Sequence, residues 1–95
     1  MRILASPEAV EYIRERGGML FVWTEIARMY TGPVTYLEAS TESPGVTHDF
    51  QRLSGAFDLF VDVGERSLPE EIHIGLKGWP TKQIRAYWNG RNYVL

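Results

Sequence analysis

The chain has 95 residues, 44% of them hydrophobic and 23% charged, with a formal net charge of −2 and no cysteine. That length suits one domain near the lower comfortable size for a single core, and the balance of apolar to charged residues excludes a disordered chain. The missing cysteines exclude disulfides, thiolate nucleophiles and thiolate metal sites, and the longest apolar run, Met19 to Trp23, falls far short of the ~20 residues of a membrane-spanning helix.

In chain order, Arg2 is soon followed by proline and glutamate, so no signal peptide is visible and the expected location is the cytoplasm. Ile3 and Leu4 read as a short strand or apolar anchor. Ser6-Pro7-Glu8 is a helix start: the Ser6 hydroxyl accepts from an orphan amide, Pro7 lacks the amide that would go unsatisfied, and Glu8 complements the dipole. The helix is expected from Pro7 to about Arg16, burying Ala9, Val10 and Ile13 and stopping at Gly17. Met19 to Thr24 is apolar on both faces, as in a covered central strand, with Tyr12 placed over it. Glu25 to Tyr30 fits either a continued strand or one helical turn, and Thr31-Gly32-Pro33 ends it.

Val34 to Ala39 alternates as a strand, and Ser40 to Gly45 is a polar loop. Val46 to Leu53 has no clear period. Ala56 to Val63 has period two, with Phe57, Leu59, Val61 and Val63 on one face and Asp58, Phe60 and Asp62 on the other. Gly64 to Ser67 turns the chain, and Ile72, Ile74 and Leu76 alternate with His73, Gly75 and Lys77 in a further strand. After the turn at Gly78-Trp79-Pro80, Asn89-Gly90 between two β-prone runs is the strongest hairpin signal, because a type I′ turn requires positive φ at both central residues. A two-residue loop there pairs Trp88 with Arg91, Ala86 with Tyr93 and Ile84 with Leu95 on an inward side, leaving Arg85, Tyr87, Asn92 and Val94 outward. The sum is a β-rich α+β domain spanning residues 1–95, with one N-terminal helix packed on a mostly antiparallel or mixed sheet, mostly in meander order, and a C-terminal hairpin.

The helix opening on Ser6-Pro7-Glu8-Ala9, the glycine after it, the hydrophobic strand, a second strand beyond a loop and the segment Gly55 to Val63 together resemble the HesB-like domain of A-type iron–sulfur carriers. The resemblance covers most of residues 3 to 76 and rests on a pattern of elements. It implies the HesB-like fold without the family's cluster chemistry. That family holds its cluster on three cysteines. Here the loop where the first would fall reads Ala27 to Gly32, and no functional residue carries across.

Charge is unevenly placed: residues 1 to 74 hold six basic and twelve acidic side chains, whereas residues 75 to 95 hold Lys77, Lys82, Arg85 and Arg91 and no acid. Two readings are open, pairing with acidic loops of the same domain or display to a partner. Lys77, Trp79, Lys82, Arg85, Tyr87, Trp88, Arg91 and Tyr93 combine the cations and rings of a single-stranded nucleic-acid platform, but an acidic chain with so few cations binds nucleic acid weakly. The expected register also puts Trp88 and Tyr93 inward, with Arg91 over Trp88 as a cation–π contact.

Metal and catalytic signals are thin. His48 and Asp49, adjacent in an extended segment, point apart. Glu71 and His73, two apart on a strand, share a face and are the candidate metal ligands, lacking a third. Asp58 and Asp62 share a face two pleats apart and are expected to be exposed. There is no nucleophile elbow, P-loop or dinucleotide fingerprint. The expectation is a non-enzymatic binding or assembly module without a cofactor, contacting an unknown protein or a second copy through Trp79, Arg85, Tyr87 and Arg91. The alternatives are an accessory role in iron–sulfur or metal handling and weak single-stranded nucleic-acid binding.

Overall fold

A computed structural model describes residues 1–45 and 47–94. Strand β1 (Arg2–Ala5) leads through Ser6 into helix α1 (Pro7–Glu15). The Ser6 hydroxyl accepts the Ala9 amide at 3.2 Å, and Pro7 occupies the first turn, so the start forms as its sequence dictates. Ala9 and Ile13 are fully buried. The chain leaves the helix at Gly17 and Gly18, both with positive φ, the Gly18 amide reaching back to the Ile13 carbonyl at 2.9 Å.

The remaining strands are β2 (Met19–Met29), β3 (Gly32–Ser40), β4 (Gln51–Ser54), β5 (Asp58–Asp62), β6 (Glu71–Lys77) and β7 (Gln83–Trp88). Glu25 to Met29 is therefore strand, completing a long β2–β3 hairpin. Two sheets form, one in the order β1-β6-β7 and one in the order β3-β2-β5-β4. Sequence neighbours pair antiparallel, as a meander predicts, in β2–β3, β4–β5 and β6–β7; β1 with β6 and β2 with β5 pair parallel. The parallel pair β2–β5 lies at the centre of its sheet because these strands carry the most buried apolar side chains, Leu20 and Val22 against Leu59 and Val61, all at 0–2% exposure. One core cluster joins them to Ile13 of the helix and to Ile72, Ile74, Ile84 and Trp88 of the other sheet.

The C-terminal turn forms as expected: Asn89 and Gly90 have φ of 49° and 78°, and Trp88 bridges Arg91 through two backbone hydrogen bonds. The ribbon then stops. The edge of β7 lies beside β3, and the Val94 amide donates to the Thr35 carbonyl of β3 at 2.8 Å, so the tail joins the other sheet and does not extend the hairpin. Ala86 and Tyr93 do not pair, Tyr93 is 48% exposed and not inward, and the expected pairing of Ile84 with Leu95 lies outside the described residues. Ile84, Ala86 and Trp88 are buried as the alternation requires. Among the described residues the cations over rings are Arg16 on Tyr12 and Lys77 on Tyr87; the expected Arg91–Trp88 contact is not formed.

Candidate functional site

Alternation along β1, β6 and β7 buries Ile72, Ile74, Ile84, Ala86 and Trp88 and turns their neighbours to the outer face. Register then sets rows across that face. Leu4, His73 and Tyr87 lie side by side, Gly75 lies opposite Arg85, and Lys77 lies opposite Gln83. The Lys77 ammonium is 5.8 Å from the Tyr87 ring centroid, and the Arg85 guanidinium donates to Gln83 Oε1 at 3.0 Å. Beyond β6 the chain turns at Gly78, where φ is +121° and an added Cβ would meet the Thr81 carbonyl oxygen at 2.7 Å; glycine is required there on both counts. That turn presents Trp79, 91% exposed and joined to Pro80 by a cis peptide bond.

Of the four expected contact residues, the structure brings Trp79, Arg85 and Tyr87 together around Lys77. Arg91 lies past the turn at the other end of β7, and it lines neither groove of this face. The basic C-terminus is only partly matched by the domain's own acids. Lys82 pairs with Glu8 at 2.8 Å, holding the Glu8 carboxyl below its ordinary value. Lys77, Arg85 and Arg91 form no ion pair among the described residues.

Glu71 and His73 do meet, with His73 Nε2 at 3.0 Å from Glu71 Oε1, while Arg2 takes the other carboxylate oxygen. The His73 hydrogen bond, opposed by desolvation and helped by Arg2, holds Glu71 below the usual carboxylate range. The Glu71 amide donates to Asn89 Oδ1 at 2.9 Å. Both carboxylate oxygens are thus engaged by cationic or ring nitrogens, and no third ligand gathers here among the described residues. The geometry is that of a structural clasp between β1, β6 and the C-terminal turn.

A second cluster has no counterpart in the sequence reading. On the outer face of the other sheet, Phe21 stacks on Phe60 at 5.0 Å and meets Phe50 edge-on at 5.4 Å, while His48 lies 5.1 Å from Phe50 and 5.6 Å from Trp23. His48 Nδ1 is 3.2 Å from Asp62 Oδ2, an oxygen that also accepts the Asp49 amide, and Asp62 Oδ1 accepts the Gly64 amide at 2.9 Å. Asp62 is therefore half-covered and engaged, where exposure was expected; Asp58 pairs with Arg52 at 3.2 Å. His48 and Phe50 close the polar loop over the sheet as an aromatic layer.

The Gly64 amide, opposed by desolvation and aided by His48 and the Asp49 amide, lowers the Asp62 pKa from its ordinary 3.8. A depressed carboxylate adds stability that is fully present above its unfolded value and lost as pH falls through the folded one. Chemical denaturation at stepped pH should therefore show a loss below about pH 4 that is smaller in Asp62→Asn; an unchanged acid limb in that variant would assign the loss elsewhere.

Comparison with protein-family models, curated proteins and solved structures found no match. No helix among the described residues is long and apolar enough to cross a membrane.

Proposed function

We propose that the chain is a non-enzymatic binding module of HesB-like type, whose contact surface is the outer face of the β1-β6-β7 sheet and whose partner is a protein presenting an acidic segment. The observation that carries this reading is the continuous patch of Lys77 over Tyr87, Arg85 beside it and Trp79 standing 91% exposed at its end, with neither cation paired to a carboxylate of the chain among the described residues. Exposed aromatics beside cations match the composition of interface anchors, and unmatched positive charge selects an acidic partner and speeds its encounter. Nucleic acid fits less well, because a net charge of −2 and two cations on the face leave little counterion release to drive binding. An accessory role in iron–sulfur handling would have to work through a partner's ligands, since this chain offers no thiolate.

Trp79 reports on the face directly, because Trp23 and Trp88 are buried at 8% and 7% exposure. Adding acetylated, amidated hexaglutamate at about 0.01 M salt, where the Debye length is ~30 Å, should change the tryptophan emission saturably, and the change should vanish in Trp79→Phe. No change, or an emission already shielded by concentration-dependent self-association in sedimentation, would overturn the reading.

A further inference from the structure

Resting on that reading, we infer that the gap left by Gly75 in the middle of β6 is the seat for one carboxylate side chain of the acidic partner. Glycine inside a strand weakens it, and where it persists it commonly marks a close approach by another group. Among the described residues neither backbone conformation nor a close neighbour requires it at this position. Unlike Gly78 or Gly90, Gly75 has no positive φ, and a Cβ built on it meets nothing within 4 Å. The backbone would accept a Cβ, so the absence of one leaves an open notch on the sheet's outer face.

The notch belongs to a groove of about 480 Å³ whose lining includes Ser6, His73, Gly75, Lys77 and Tyr87. His73 and Lys77 flank Gly75 two residues to either side on the same face, and Arg85 lies opposite it in register. Lys77 lines this groove and also the neighbouring one that holds Arg85 and Trp79. Lys77 and Arg85 are cations without a carboxylate partner among the described residues. Arg85 spends one N–H on Gln83 and retains others, and the Ser6 oxygen accepts the Ala9 amide while its proton stays free to donate. The acid on this face, Glu71, sits four residues away, about 13 Å along the strand, engaged by Arg2 and His73; Glu8 is held by Lys82. A carboxylate is favoured over a phosphate chain because the seat is one residue deep and the cations do not continue into a track that a polynucleotide would need.

The test compares hexaglutamate, hexaglutamine and hexathymidylate on the native chain, Gly75→Ala and Gly75→Val, read by Trp79 emission, with thermal unfolding of each variant alongside. Both variants are expected to melt at or above the native midpoint, since neither is strained, yet to bind hexaglutamate about threefold and about tenfold more weakly, with hexaglutamine silent throughout. If both variants bind as the native chain does, the notch is not the seat, although the face remains the contact surface. If the native chain itself does not bind hexaglutamate, the parent reading fails instead. Tighter binding of hexathymidylate, equally lost in Gly75→Val, would overturn the carboxylate as occupant.

Discussion

Replacing Trp23 by alanine is expected to destabilise the domain by roughly 3 kcal/mol, a drop of roughly 10 to 20 °C in Tm for a chain of this size. Trp23 is 8% exposed although it belongs to the outer side of its sheet, because His48 covers it and its Nε1 donates to Glu25 Oε1 at 2.7 Å. Alanine removes the ring on which His48 rests and frees the loop that carries Phe50, so the Phe21–Phe50 and Phe21–Phe60 contacts lose their cover. Trp23→Phe keeps a ring and loses the hydrogen bond, for an expected cost of about 1 kcal/mol. Urea unfolding of the three proteins measures the order. A Trp23→Ala loss below about 1 kcal/mol would mean that the outer aromatic layer contributes no packing. Hexaglutamate binding should be unchanged in Trp23→Phe, because the two outer faces belong to different sheets and share no residue.

That layer also marks the limit of what could be read from the residues in order. Local chemistry was sufficient for the helix, whose Ser6-Pro7 start carries its own hydrogen-bonding logic, for the alternation that buries Leu59 and Val61, and for the turn at Asn89-Gly90. The meeting of Trp23 with Asp62 was not local: it follows from the parallel register of β2 on β5, which no short-range signal encodes. His48 and Phe50 sit where periodicity is weakest, just before β4, so their closure over the sheet had no pattern to announce it; the one available hint was the aromatics Phe21 and Trp23 on the second apolar face of β2, with Phe60 between the aspartates of β5. The length of the C-terminal ribbon failed for a related reason. The turn specifies the first bridge, but whether Tyr93 continues along β7 depends on β3 already lying beside that strand. The outward placement of Trp79, Arg85 and Tyr87 was legible because alternation and turn chemistry sort them so; Arg91 pairs with Trp88 as the turn requires, but its guanidinium does not lie over the Trp88 ring.

The second large effect concerns charge. Lys77→Glu with Arg85→Glu should lower the affinity for hexaglutamate by at least about tenfold, roughly 1.4 kcal/mol, because two attractions become two repulsions at the centre of the face. Stability should change by no more than ~0.5 kcal/mol, since both side chains are exposed and neither is paired to a carboxylate among the described residues. Raising the salt from about 0.01 to 0.15 M should shrink the difference between native and variant as screening shortens to ~8 Å. The decisive measurement is amide-resolved NMR of the isotope-labelled chain and of this double variant during the same titration. In the native chain the account requires shifts concentrated at His73, Gly75, Lys77, Trp79, Arg85 and Tyr87, and in the variant their disappearance. Shifts centred on α1 or on the Trp23–His48 layer, or shifts at the named residues that persist after the charge reversal, would contradict it.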